Sequence, residues 1–173
     1  AGDPDYSGDG PPVFASFNRP AKFNDTVLDA WSEILRRVPA ARLELGASLF
    51  GDAAARERTF ERFDARGIAA DRMRLHGTRS YAELFAAYRQ VDIALDPFPF
   101  SGCTTTCDAL WMGVPVIART GATFVERQSA SLLQRLGRDE WIAADTGSYI
   151  ERALGLAADL PAIRGGRRAL RDQ

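Results

Sequence analysis

Residues 95–111 read LDPFPFSGCTTTCDALW, and this stretch decides how the remainder of the chain is interpreted. An apolar strand ends at Leu95, a proline-rich loop containing Gly102 follows, and three threonines then open a helix. The start of such a helix presents unpaired backbone N–H groups and hydroxyls at its positive end, where phosphate groups bind. Asp108 follows within the first turns, at a distance suited to a sugar hydroxyl. The stretch therefore predicts a nucleotide site and favours a nucleotide sugar as ligand.

On both sides of this stretch, short apolar strands alternate with amphipathic helices. Strands are predicted at 13–17, 42–47, 73–76, 92–95, 113–118 and 141–143, and helices at 23–38, 53–66, 81–88, 105–112, 125–136, 148–158 and 163–170. Such alternation predicts an α/β, Rossmann-like fold, in which a parallel sheet carries helices on both faces. Ligands of such sheets bind outside the carboxyl ends of the strands. Lys22 after the first strand and the threonines after the fourth are therefore expected on one edge.

Length and composition indicate one globular domain over residues 13–173. The chain has 173 residues, of which 46% are hydrophobic, and this is enough apolar material for a single core. Residues 1–12 are rich in Gly, Asp and Pro and are expected to be a linker or an artificial boundary. The two cysteines lie four positions apart and favour a reducing cytoplasm over a disulfide framework.

The charge pattern argues against nucleic acid and membrane as partners. Net charge is −1, and the sequence contains no run of 18 apolar residues and no basic-then-apolar leader. A basic run near the end lacks interleaved aromatic residues, so it is interpreted as a solvated helix face. It comprises Arg164, Arg167, Arg168 and Arg171.

Lys22 is the only lysine among 22 basic residues. An ammonium group is a compact charge that approaches a phosphate end-on, whereas guanidinium prefers a planar, forked geometry. Nearly all basic residues of the chain are arginine, yet position 22 is lysine. This exception predicts that Lys22 binds phosphate. The alternative is that the lysine is a chance remainder.

The threonines and Asp108 allow two interpretations each. Thr104 and Thr105 could surround diphosphate oxygens, or Thr105 and Asp108 could form a capping box with Asp in place of Glu. The preceding strand and glycine turn, together with the single lysine, favour the diphosphate. A carboxylate at position 108 could accept hydrogen bonds from two ribose hydroxyls, or it could simply complement the helix dipole.

Other reactive side chains carry weaker signals. Cys103 and Cys107 are one turn apart, but one histidine and no third thiol leave a zinc site short of ligands, so no metal is expected. Cys107 is predicted to lie in the core, while Cys103 could touch a ligand. His76 ends a strand and is interpreted as packed or partly solvated rather than as a general base. Arg127 could reach a phosphate or pair with a nearby acid.

The sequence resembles the bacterial and eukaryotic O-linked N-acetylglucosamine transferases (glycosyltransferase family 41). More specifically, it is similar to the C-terminal, UDP-binding half of their two-lobed GT-B catalytic region. The matching segments are FNRPAK at 17–22, WSEILRRVP at 31–39, residues 92–96 with 101–116, and Arg127 with SLL at 131–133. The resemblance covers residues 13–172 and implies one half of a GT-B fold.

The resemblance implies a role for each matching residue. In the family, residues at the places of Lys22, Thr104 and Thr105 bind the UDP phosphates, and the residue at the place of Asp108 binds the ribose. The residue at the place of Arg19 lies near the phosphates, and Arg127 belongs to the helix near the diphosphate. Transfer in this class needs no metal or other cofactor, because a lysine and helix-end amides stabilise the diphosphate leaving group.

Two features of the family are replaced in this sequence. The histidine before the threonine pair is Cys103, and the basic residue and histidine on the uridine side correspond to Tyr81 and Leu84. The donor sugar therefore stays open between N-acetylglucosamine and glucose. The family's acceptor-facing lobe, expected to hold the catalytic base, and its 34-residue helical repeats lie N-terminal to this half. The chain is therefore expected to be a fragment or a stand-alone half.

Three functions follow from these observations. The first is a donor-binding domain of a UDP-sugar transferase that acts on Ser or Thr of proteins. The second is a GT-B enzyme for a lipid, glycan or small-molecule acceptor. The third is an interaction module that kept the fold and lost the nucleotide, for which Cys103, Tyr81 and Leu84 are the best support.

Overall fold

The computed structural model describes residues 10–173, so most of the predicted linker at 1–12 lies outside the described residues. The strands are β1 (Val13–Ser16), β2 (Arg42–Gly46), β3 (Met73–His76), β4 (Ile93–Leu95), β5 (Val116–Arg119) and β6 (Ile142–Ala143). The α-helices are α1 (Asp25–Arg37), α2 (Ala53–Asp64), α3 (Tyr81–Tyr88), α4 (Thr104–Trp111), α5 (Phe124–Arg135), α6 (Thr146–Ala157) and α7 (Leu160–Arg171). The predicted alternation of strands and helices is confirmed.

The strands form one parallel sheet in the order β3-β2-β1-β4-β5-β6. Phe14 of β1 pairs with Leu43 on one side and with Ile93 on the other. The chain thus winds outwards from β1 in one direction and from β4 in the other. The connections after these two strands diverge, and a crevice opens between them at the carboxyl edge of the sheet.

The core lies between the sheet and its helices, and α1 shows how it is built. The helix begins after Asn24, whose side-chain oxygen accepts a hydrogen bond from Val27 N at 3.0 Å. Its apolar face is buried as its spacing predicted, and it comprises Val27, Leu28, Trp31, Ile34 and Leu35. Trp31 Nε1 donates to the Tyr149 hydroxyl at 3.1 Å, which ties α1 to α6.

The helix boundaries follow the predicted signals closely. Ser80 and Glu83 form the predicted capping box at the start of α3. Gly67 follows α2 with φ of +77°, a conformation that glycine adopts without a steric penalty. Within residues 10–173 no helix combines the length and apolar character needed to cross a membrane.

The interpretation of the terminal basic run as a solvated face is wrong for two of its members. Arg167 is buried and donates hydrogen bonds to the carbonyl groups of Tyr88, Arg89 and Met112, which end α3 and α4. The Arg164 guanidinium contacts the buried Asp92 carboxylate at 2.8 Å. Helix C-termini leave carbonyl groups without intrahelical donors, and a buried guanidinium supplies such donors.

Candidate functional site

A cavity of about 580 Å³ occupies the crevice between the connections that follow β1 and β4. It therefore lies at the carboxyl edge of the sheet, where the alternation of elements predicted a ligand site. Its wall is formed by Phe17, Asn18, Arg19, Ala21, Lys22, Phe100, Ser101, Cys103, Thr104, Thr105 and Gln128.

Lys22 enters the cavity wall from the short 3-10 turn Pro20–Lys22 that follows β1. Its Nζ donates to the Ser101 carbonyl at 2.8 Å and lies 4.7 Å from the centre of the Phe100 ring. Burial lowers the pKa of the Lys22 ammonium, while the charge of Asp96 opposes this shift. The ammonium is therefore held in place against the loop that leads into α4.

Asn18 joins Lys22 to the threonines and was not singled out from the sequence. Its buried side-chain Oδ1 accepts hydrogen bonds from Lys22 Nζ at 3.0 Å and from Thr105 Oγ1 at 3.1 Å. The signal that could have found it is a polar side chain placed directly after a buried strand. One amide oxygen thus brings the lysine and the start of α4 to the same side of the cavity.

The threonines in the first turn of α4 do not form the capping box that was the alternative interpretation. The helix begins at Thr104 after Cys103, and Thr105 donates its hydroxyl to Asn18 instead of capping the helix. The capping-box alternative is therefore wrong. Thr106 turns inwards, and its hydroxyl lies 2.7 Å from that of Ser129 on α5. Thr104 and Thr105 remain in the cavity wall with the amide-rich helix end.

Gly102 allows the loop to approach α4 closely. A Cβ atom there would lie 2.7 Å from Asp96 Oδ1, 2.7 Å from Thr105 Oγ1 and 2.8 Å from Thr106 Oγ1. The Gly102 N–H donates to Asp96 Oδ1 at 2.7 Å. Burial raises the pKa of the Asp96 carboxyl to about 7, against the opposing charge of Lys22. Asp96 is a second residue of the site that sequence reasoning did not identify.

Asp108 and Arg127 are not among the described residues that line the cavity. Asp108 is one turn beyond Thr104 on α4, and burial raises the pKa of its carboxyl. Arg127 is exposed on α5, and the neighbouring Gln128 contributes to the wall in its place.

The placements of the thiols differ from those predicted. Cys103 is exposed in the cavity wall. Cys107 is also exposed, so its prediction as a core residue is wrong. Helix α4 buries Thr106, Ala109 and Leu110, and Cys107 lies on another face.

The remaining candidates do not line the cavity. His76 is half-buried at the end of β3, with its Nε2 3.2 Å from Glu44 Oε2, as the packed interpretation expected. The Arg79 guanidinium lies 5.5 Å from the centre of the Phe17 ring, which lines the cavity. Tyr81 is exposed and contacts Phe85. Among residues 10–173, no three His, Cys, Asp or Glu side chains are grouped closely enough to hold a metal ion.

Comparison with known proteins covers nearly the whole chain. The profile of Glycosyl transferase family 41 matches residues 7–172. The probable UDP-N-acetylglucosamine–peptide N-acetylglucosaminyltransferases SPINDLY of Petunia hybrida and Arabidopsis thaliana are each 34% identical over 161 residues. Each alignment covers 92% of this chain but only 17% and 18% of these relatives. The chain therefore spans under a fifth of their length.

Solved structures show the same similarity. A point mutant of the O-GlcNAc transferase from Thermobaculum terrenum is 38% identical with a TM-score of 0.89, over 98% of this chain and 34% of that one. The C-terminal domain of a glycosyl transferase group 1 family protein from Francisella tularensis is 13% identical with a TM-score of 0.66. That alignment covers 99% of this chain and 95% of the domain, and it shows the fold alone.

Proposed function

The chain belongs to glycosyl transferase family 41, and on this basis we propose that it is the donor-binding half of a UDP-sugar transferase with a GT-B fold. The observation that carries the proposal is the Asn18 bridge. It places the single lysine of the chain and the start of α4 at one cavity, where both can meet the same diphosphate.

In this proposal the diphosphate lies between Lys22 and the first turn of α4. The ammonium contacts the phosphate oxygens. The Thr104 hydroxyl and the backbone amides of Thr104 and Thr105 donate the other hydrogen bonds, while the Thr105 hydroxyl stays bonded to Asn18. Arg19 is exposed in the same wall and adds a second cation, while Cys103 contacts the ligand at the helix start. The positive, N-terminal end of α4 stabilises the bound phosphates by about 0.3–1 kcal/mol.

The ribose and sugar extend beyond the diphosphate. Asp108 accepts hydrogen bonds from the ribose hydroxyls, since its carboxyl lies one turn further along α4. Arg127 on α5, which directly precedes the wall residue Gln128, is proposed as a further contact to the diphosphate. The names of the relatives specify UDP-N-acetylglucosamine, and this sugar is the proposed donor, with glucose as the alternative.

The chemistry assigned to this half is stabilisation of the leaving group. Negative charge develops on the diphosphate as the sugar departs, and groups already oriented towards it lower the barrier without reorganisation. Lys22 and the α4 amides fill this role, so the proposal requires no metal ion or further cofactor. Chelation with EDTA should leave the affinity for UDP unchanged.

The acceptor and the catalytic base are assigned to a second lobe in a longer protein. Two exposed apolar side chains support such a partner: Phe100 in the cavity wall is 50% exposed, and Phe124 at the start of α5 is 75% exposed. The relatives' names specify a peptide acceptor, which suits transfer to Ser or Thr of a protein and helical repeats upstream. A reducing cytoplasm is the proposed location, in keeping with the free thiols of Cys103 and Cys107.

Calorimetry with UDP tests the proposal. UDP should bind the unmodified chain, whereas ADP should bind more weakly, and Lys22→Ala should weaken UDP binding at least tenfold. Arg58→Ala is the matched control, since it removes one positive charge from an exposed position of α2 outside the cavity. Absence of heat with the unmodified chain, or equal affinity of Lys22→Ala, contradicts the proposal.

A further inference from the structure

Asp96 is a buried carboxyl group that the proposed donor contacts leave unused, although it lies directly beneath them. The residue follows β4 and is only 2% exposed. Its Oδ1 accepts a hydrogen bond from Gly102 N at 2.7 Å. Its Oδ2 is buried and, within the described part of the chain, has no hydrogen-bond partner. A carboxylate in such surroundings is costly in its charged form.

The carboxyl group supports the turn that leads into α4. The clearance around Gly102 is so small that a Cβ would meet Asp96 Oδ1 at 2.7 Å and the Thr106 hydroxyl at 2.8 Å. The neighbouring Ser101 carbonyl is the acceptor for Lys22 Nζ. The peptide group between Ser101 and Gly102 thus links Asp96 to the Lys22 ammonium. Its N–H donates to Asp96, and its carbonyl oxygen accepts from Lys22.

The charged and titratable groups that interact with Asp96 come from three neighbouring elements. They are Lys22 from the turn after β1, Tyr88 from α3 and Tyr149 from α6. The Ser129 hydroxyl of α5 donates to the Gly102 carbonyl at 3.0 Å and lowers the pKa of Asp96, against the effect of burial. Burial raises the pKa of both tyrosines, so they stay neutral at physiological pH. Lys22 is the cation whose charge favours ionisation of Asp96.

We propose that Asp96 is a positioning residue for the donor diphosphate, and that the diphosphate binds with uptake of one proton by this carboxyl group. The inference rests on the diphosphate site proposed above. A ligand at the start of α4 brings negative charge towards Asp96 and draws the Lys22 ammonium to itself. Both effects favour the neutral carboxyl. The neutral group still accepts the Gly102 N–H through its carbonyl oxygen, so the turn keeps its position.

The pH dependence of binding follows from this linkage. In the free chain, burial outweighs the opposing hydrogen bonds and the Lys22 charge and raises the pKa of Asp96 to about 7. We expect the bound ligand to raise this pKa further. Affinity is therefore constant at pH values well below 7, where the carboxyl is already neutral. The affinity falls as the pH rises through the pKa of Asp96 in the free chain. The total decrease is about tenfold for each unit by which the ligand raises that pKa.

Calorimetry of the chain with UDP-N-acetylglucosamine tests the inference, because its diphosphate diester has no group that titrates near neutral pH. Titrations between pH 6 and 8.5, each in two buffers of different ionisation enthalpy, count the protons taken up. We expect uptake of up to one proton and a dissociation constant that rises about tenfold across this range. Asp96→Asn should show no uptake and should keep the low-pH affinity, since its amide oxygen still accepts from Gly102.

Two control variants address ionisable side chains outside the Asp96 cluster. His76→Gln removes the only histidine of the chain, and Cys107→Ser removes an exposed thiol of α4 that does not line the cavity. Both should retain the proton uptake. Carbon-13 NMR of the unmodified chain gives a second measurement that needs no variant, because the Asp96 carboxyl resonance should titrate near neutral pH and at higher pH with ligand.

The outcomes separate the two proposals. Binding without proton uptake, uptake that persists in Asp96→Asn, or an Asp96 resonance that the ligand leaves unshifted overturns the role of Asp96 while the donor site stands. Absence of binding at every pH overturns the donor site itself, and the inference with it.

Discussion

Lys22 and Thr105 donate hydrogen bonds to the same acceptor, the Asn18 side-chain oxygen, at 3.0 and 3.1 Å. The two donors come from opposite sides of the crevice, one from the turn after β1 and one from the first turn of α4. The cavity between them is therefore formed before any ligand enters. A preformed arrangement reduces the conformational cost of binding.

The bridge predicts an effect of Asn18→Ala on donor binding. Removal of the amide releases both donors, and each neutral or charge-assisted hydrogen bond contributes about 0.5–3 kcal/mol. We expect the dissociation constant for UDP to rise roughly five- to tenfold while the circular dichroism spectrum is unchanged. Asn24→Ala, which removes the cap of α1, is the control for loss of a structural asparagine. A folded Asn18→Ala with undiminished affinity contradicts the prediction.

The single lysine allows its environment to be measured chemically. Burial lowers the pKa of Lys22, so acylation of its amine should reach half its maximal rate below the pH of an ordinary lysine. UDP should protect Lys22 from an acylating reagent, as measured by mass spectrometry of the modified peptides. The α-amino group is the internal control and should react equally with and without UDP. Equal modification of Lys22 in both samples would refute contact with the ligand.

Gly102→Ala should destabilise the fold and weaken UDP binding. The added methyl would lie at 2.7 Å from both Asp96 Oδ1 and Thr105 Oγ1, and such overpacking costs about 1–3 kcal/mol. For a chain of this length, we expect Tm to fall by roughly 2–10 °C in calorimetry.

Gly155→Ala is the matched comparison, because a Cβ at position 155 meets nothing within 4 Å. Position 155 lies in α6, where alanine stabilises a helix by about 0.5–1 kcal/mol relative to glycine. Tm should therefore rise. A result in which both variants shift Tm in the same direction is incompatible with a close approach at Gly102.

The stability of the chain should also depend on Asp96. The pKa of its carboxyl is about 7 in the folded chain, above its usual value of 3.8. The folded state therefore binds this proton more tightly than the unfolded state, and the resulting stabilisation is lost as pH rises through 7.

Urea unfolding measures this contribution. The free energy of unfolding should fall by roughly 1–3 kcal/mol between pH 5 and pH 8, and Asp96→Asn should reduce the decrease. His76→Gln should leave the decrease in place. The same slope in Asp96→Asn and in the unmodified chain is the result that excludes Asp96 as its source.

The positions of the strands and helices could be predicted because their signals are local. Apolar spacing in α1, the Ser80 capping box and the glycine after α2 each act within a few residues. Cys107 and Arg167 were placed wrongly for a related reason. Which side of a short helix is buried, and whether an arginine meets helix-end carbonyls, depends on elements distant in the sequence.

The sequence by itself determined the parallel sheet and placed Lys22 and the threonines of α4 at its carboxyl edge, because the loops that follow parallel strands all lie at that edge. The tertiary structure decided that β1 and β4 are neighbours in the sheet. Only the tertiary structure decided that Asn18 bridges these donors and that Asp96 is sealed beneath them. Burial and hydrogen bonding of a polar side chain depend on which distant segments pack around it. No periodicity in the chain encodes those partners.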